Sequence, residues 1–227
     1  MKKTRTNKSA GFSLVELMIA MTIMLILLGL VSTLFSRALG IRARESRRTD
    51  ALTSAQAALN VMSREIANSG FGLYVDSVSK KPLNGIVIAD SNANKIHFRS
   101  NLVNVKTSPT SDDINKPGED ITYFFDSVTD SIVRYDNNGV LNTSTGFYQP
   151  QTSVIINRIS NVTFQYFNYS GSVSTPTLTT TPTVNTGRVR ITVTVNLEPA
   201  QGQPDNQRVT FTSDVTLRNS SYMLNQY

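Results

Sequence analysis

The sequence predicts an α+β fold in which a long N-terminal helix packs on an antiparallel β-sheet head. Three observations predict it. Phe12–Phe35 is an apolar run interrupted only by Ser13, Glu16, Thr22, Ser32 and Thr33. Leu52, Ala55, Leu59, Met62 and Ile66 then recur at three- and four-residue steps, the period of one helix face. Beyond residue 70 the chain is rich in Ser, Thr and Asn, and apolar residues alternate with polar ones, the period of a half-buried strand.

The apolar run comes first. Its 24 residues would reach roughly 36 Å as a helix, enough to cross a hydrocarbon core of about 30 Å. It holds no proline. A cleaved secretory signal has an apolar region of only about 7–15 residues followed by a small-residue cleavage site. This run is longer, and Arg42–Asp50 after it offers no such site, so a membrane helix is the expectation.

Charge is distributed in three parts. The chain carries a net +6. Residues 1–11 contribute +4 through Lys2, Lys3, Arg5 and Lys8, residues 12–69 contribute +2, and residues 70–227 balance twelve bases against twelve acids. The basic character is therefore a leader and a juxtamembrane cluster, not a nucleic-acid-binding face. The two flanks of the apolar run are equally basic, so loop charge does not orient it. No cysteine is present, which excludes disulfides, thiol catalysis and zinc–thiolate sites.

Glu16 is the anomaly. A carboxylate inside an apolar span costs up to about 2.5–3.5 kcal/mol near the centre and less near an end. It needs a cationic partner or a way to stay neutral. A cut between Gly11 and Phe12 would create an α-amine one helical turn from Glu16, able to pair with it in the same chain or in an adjacent subunit. A satisfied pair within the helix is the alternative role.

Ala10-Gly11-Phe12-Ser13-Leu14-Val15-Glu16-Leu17-Met18 resembles the prepilin processing motif of type IV pilin-like proteins. The basic leader, Gly, Phe, Glu and long apolar run fall in register. The resemblance implies cleavage after Gly11 by a membrane prepilin peptidase, N-methylation of Phe12, and retention of the leader on the cytoplasmic side. It implies pairing of Glu16 with a neighbouring subunit's amine during assembly, and an inner-membrane assembly platform as partner. Leu52–Leu73 and Ser213–Asn219 further resemble PilW-type minor pilins and J-type pseudopilins. Many major pilins have a helix-kinking proline and a disulfide-closed C-terminal region. This chain has neither, which favours a minor subunit.

The expected organisation is a leader over 1–11, a transmembrane or filament-core helix over 12–35, an amphipathic continuation over 36–69 and a β-rich head over 70–227. Asn68-Ser69-Gly70 supplies the helix stop, with Gly70 as a left-handed cap. Arg42–Asp50 has almost nothing to bury. It reads as a solvated helix face, or as a contact for anionic membrane lipid or acidic groups of neighbouring subunits. Arg188–Leu197 is the clearest strand. Residues 162–166 and 209–217 alternate likewise, and further strands are expected near 85–89, 95–99, 120–126, 131–135 and 153–158. Asp136-Asn137-Asn138-Gly139 reads as a turn between two of them. A meandering sheet on the helix stripe results. Gly171–Gly187 reads as a flexible hairpin loop whose Ser/Thr/Pro content leaves O-glycosylation open.

Catalytic chemistry lacks a constellation. His97 is the only histidine and reads as a strand residue facing solvent or a hydrogen-bond partner. Asp112, Asp113, Glu119 and Asp120 cluster around Pro117-Gly118 and are weak candidates for calcium, but their spacing is not that of an EF-hand loop and solvated loop charge is the plainer reading. No phosphate-binding loop, cofactor motif or enzyme signature is present. The functions that remain are a minor pilin priming or capping a type IV pilus and a minor pseudopilin of a type II secretion system. A pilus-borne receptor, adhesin or DNA-binding subunit is a further class. For DNA, only a local patch of Lys80, Lys81, Lys95 and Arg99 offers itself.

Overall fold

A computed structural model describes residues 13–73, 83–103, 114–157, 159–170, 175–197 and 207–224. The chain divides into two compact units, Met1–Arg47 and Arg48–Tyr227. Helix α1 is Leu14–Ala67. Its N-terminal part is the one stretch, among the described residues, long and apolar enough to cross a membrane. Its side chains are exposed from Leu14 to Ile41. Two of the hydroxyls in this stretch are satisfied within the helix. Thr22 donates to the carbonyls of Met18 and Ile19, and Thr33 to that of Leu30. Such back-bonding removes the cost of a lone hydroxyl in hydrocarbon.

In the second unit, Ala55, Ala58, Leu59, Met62, Ile66 and Ala67 of α1 are buried in one core with two four-stranded sheets. The helical period places these residues on one face. The expected stripe is there, with Leu52 half-buried at its edge. Gly70, at φ +79°, ends the helical segment as expected, and a Cβ on it would lie 2.0 Å from the Leu83 carbonyl oxygen. The Gly70 N–H donates to the Arg99 carbonyl at 2.9 Å, tying the helix exit to the first strand.

The first sheet is an antiparallel meander of β1 (Lys95–Arg99), β2 (Asp120–Asp126), β3 (Ser131–Leu141) and β4 (Tyr148–Asn157) in the order β1-β2-β3-β4. Pro150 is tolerated because β4 is an edge strand with one side free of ladder bonds. The second sheet contains β5 (Ile159–Asn168), β6 (Thr177–Thr179), β7 (Thr186–Asn196) and β8 (Arg208–Thr216) in the order β6-β5-β7-β8. The alternation in β7 is realised in full: Val189, Ile191, Val193 and Val195 have no exposed surface. The fold is thus α+β, a long helix with antiparallel sheets, and the expected single meander is two sheets.

Three local expectations are corrected. Asp136–Gly139 is not a turn between strands. It lies inside β3, whose register with β4 shifts between Asp136 and Val140. The Asp136 carboxylate accepts the N–H of Asn138 at 3.1 Å and that of Gly118 at 2.8 Å, so the turn-forming residues build a bulge. The connection falls at Asn142–Phe147, where the Asn142 side chain accepts the N–H groups of Ser144 and Thr145. Second, residues 85–89 make one bridge, Ile86 to Phe98, and then a 3₁₀ turn over Ile88–Asp90. Third, the segment expected as a flexible loop contains β6, and Thr186 already belongs to β7. Thr186 donates its hydroxyl to Asn168 Oδ1 and accepts the Thr183 N–H, while Asn84 Nδ2 donates to the carbonyls of Thr183 and Thr186. Residues 171–174 of that segment lie outside the described residues.

Candidate functional site

The start of α1 carries the residues singled out by the sequence. Ser13 precedes the helix and its carbonyl accepts the Leu17 N–H at 3.1 Å, the first bond of the helix. The Ser13 N–H donates to Glu16 Oε2 at 3.0 Å. Ser-x-x-Glu is the spacing of a capping box, in which the acid three residues in satisfies an N–H that the helix itself leaves bare. Ser13 is therefore a site residue that sequence reasoning missed, although its spacing from Glu16 was the signal for it. The carboxylate also sits where the helix dipole favours negative charge. Glu16 Oε1 has no hydrogen-bond partner among the described residues. The glutamate thus has a local structural role that leaves an acceptor open.

Residues 6–32 match the protein family described as the prokaryotic N-terminal methylation motif. The match covers the start of the chain and the first part of the apolar helix. This supports a type IV pilin-like chain, a structural class that assembles with other pilin subunits after prepilin peptidase action. One helix able to cross a membrane fits a single-pass membrane protein of that class. No curated protein matches the chain. Gly11, Phe12 and the leader residues Lys2, Lys3, Arg5 and Lys8 lie outside the described residues.

The acidic cluster is resolved differently from the expectation. Asp112 and Asp113 lie outside the described residues, but Glu119 and Asp120 are buried rather than solvated, with 0% and 6% exposure. Successive residues entering a strand point to opposite faces, and these two carboxylates go to separate partners. Glu119 Oε1 accepts the N–H groups of Leu102 and Val103, and Oε2 those of Asn115 and Lys116. Four donors close this carboxylate to a cation. Asp120 faces His97 Nε2 at 2.5 Å and accepts from Arg99 Nε at 3.1 Å. Burial pushes the Asp120 carboxyl up, but the His97 hydrogen bond and the Arg99 charge together hold it below its ordinary range. No metal-holding group of three such side chains is found among the described residues.

His97 has the partners expected of a hydrogen-bonded strand residue. Its Nδ1 lies 2.9 Å from Asp90 Oδ2, opposite the Asp120 contact. Lys95 pairs with Asp90. The lysine hydrogen bond is the largest influence on the Asp90 carboxyl, holding it low with help from the His97 bond. Lys80 and Lys81 lie outside the described residues, while Lys95 and Arg99 are each neutralised by a carboxylate. The cationic patch considered for DNA is thereby weakened.

A second cluster was invisible in the sequence. Tyr123 of β2, fully buried, donates its hydroxyl to Glu65 Oε2 of α1 at 2.6 Å. Arg134 Nε of β3 donates to the same oxygen at 3.1 Å, and Arg134 Nη1 donates to Asp136 Oδ2 at 3.2 Å. Burial, then the Glu65 charge, pushes the Tyr123 hydroxyl well above its ordinary ionisation range. This clasp joins the helix to the first sheet within the second unit.

Proposed function

We propose that the chain is a minor pilin that takes part in type IV pilus assembly, in a priming or tip complex. It is made as a precursor, cut between Gly11 and Phe12 and methylated on the Phe12 amine. What carries this reading is the coincidence of the methylation motif over residues 6–32 with a carboxylate, Glu16, in the first turn of the apolar helix.

The physical role follows from position. Cleavage would convert Phe12 into a cationic terminus one turn, about 6 Å, before Glu16. The Glu16 oxygen left open by the Ser13 bond is suited to the amine of a subunit arriving alongside. In an apolar surround such a pair is strong because neither charge has water as a competitor. The leader, carrying Lys2, Lys3, Arg5 and Lys8, would stay on the cytoplasmic side because it is there that the prepilin peptidase recognises and removes it. The head would then lie in the periplasm before entry into the filament, with the inner-membrane platform and other pilins as partners. The absence of cysteine and of proline within the apolar run supports a minor subunit over the shaft subunit.

Mass spectrometry of the mature protein tests the junction: N-methyl-Phe12 is the expected first residue, and an intact Met1 would overturn the assignment. Replacing Gly11 by a bulky residue should make the precursor accumulate. Glu16→Ala should be processed normally yet be depleted from sheared filaments. Wild-type filament content in that variant would remove the pairing role.

A further inference from the structure

We propose that the outer face of the first sheet carries a binding site for a neutral saccharide, independent of the filament assignment. A groove of about 330 Å³ lies there, with Asp90 from the 3₁₀ turn at one margin and Asn137 of the β3 bulge among its lining residues. Its floor is three strands wide, and the ladder register pairs His97 with Thr122 and Thr122 with Tyr135. Phe124, two residues along β2 from Thr122, points to the same face.

The chemistry of the lining excludes other ligand classes in turn. An anion needs uncompensated positive charge, yet Lys95 is held by Asp90 and Arg99 by Asp120 within the groove. A metal needs free carboxylates, yet both acids face His97 and a cation. A purely apolar ligand would leave the polar floor unpaired, which costs about 1–3 kcal/mol per buried group. What remains is a neutral ligand with many hydroxyls and one flat apolar face. The aromatic rings of Phe124 and Tyr135 supply the apolar platform. Arg99 uses only Nε on Asp120, and its two terminal nitrogens make no protein hydrogen bond among the described residues. The Tyr135 hydroxyl and the Asn137 amide are likewise without protein partners among the described residues. Spare donors and acceptors thus sit on β1 and β3, either side of β2, with strands spaced about 4.8 Å apart. That spacing suits hydroxyls distributed over one or two sugar rings.

The single histidine makes the site readable. The full-length protein in dodecylphosphocholine, a detergent without sugar, is titrated with lactose, maltose, cellobiose and N,N′-diacetylchitobiose up to about 10 mM, a range set by weak Kd values. The expected result is saturable movement of the His97 ring resonances with at least one of them. Tyr135→Ala should weaken that binding at least about tenfold, equivalent to about 1.4 kcal/mol, with unchanged thermal unfolding. If that variant fails to fold, Asn137→Ala, at an exposed position, should weaken binding several-fold. No movement with any of the four sugars, binding unaffected by the foldable variant, or saturable movement only with inorganic pyrophosphate would each overturn the proposal.

Discussion

Glu65 sets a quantitative test of how the helix is held to the head. One of its oxygens accepts both the Tyr123 hydroxyl at 2.6 Å and Arg134 Nε at 3.1 Å. Tyr123→Phe deletes one hydrogen bond to a charged acceptor, for which about 1.5–3 kcal/mol is typical. Glu65→Ala deletes both bonds and strands a buried phenol and a mostly buried guanidinium, so a loss of about 3–4 kcal/mol is expected. Arg134 retains Asp136, which moderates that figure. Because the two changes remove the same contact, the double variant should lose less than the sum, with a coupling of about 1–2 kcal/mol. For a head of this size each kcal/mol moves Tm by about 2–4 °C. Tyr123→Phe should therefore lower it by roughly 3–12 °C. The assay is thermal and urea unfolding of the full-length protein in detergent, followed by near-ultraviolet circular dichroism. A Tyr123→Phe loss below about 0.5 kcal/mol, or strict additivity, would show that the clasp is not a stabilising unit.

Three further outcomes are expected. Asp90 and Asp120 are both held below the ordinary carboxyl value of 3.8 in the folded chain, so their stabilisation is complete above that value and is lost as pH falls through their folded values. Acid destabilisation from these groups should set in below about pH 4, and Asp120→Asn should flatten the acid limb of the stability profile; an unchanged slope refutes the linkage. Gly70→Ala should destabilise by at least about 1–2 kcal/mol from backbone strain alone, because the position has φ +79° and the added carbon meets the Leu83 carbonyl; a neutral effect by urea unfolding would contradict the backbone path. Glu119→Ala should loosen residues 102–103 and 115–116, whose N–H groups it binds, read as faster amide exchange there. Unchanged protection would mean that these amides are held otherwise.

Legibility followed the range of the forces involved. The alternation in β7 and the helical stripe from Ala55 to Ile66 were readable because each is a local periodic pattern whose burial follows from its own spacing. The start of α1 was half-read. Glu16 stood out as an acid in an apolar run, while its partner Ser13, three residues away, was overlooked. The Asp136–Gly139 segment misled because turn-forming residues also build bulges, and only pairing with β4 distinguishes the two.

By itself the amino-acid sequence determined the membrane-length helix, the basic stretch over residues 1–11, the methylation motif over residues 6–32 and the α+β class. All of these depend on neighbours within a few residues, and local sterics and hydrophobicity act at that range. Tertiary structure alone decided that the strands divide into two sheets. It alone brought Glu65 to Tyr123 and Arg134, 58 and 69 residues away, and set His97 between Asp90 and Asp120. A carboxylate's partner is chosen by where the chain returns in space, and no spacing along the sequence encodes that distance.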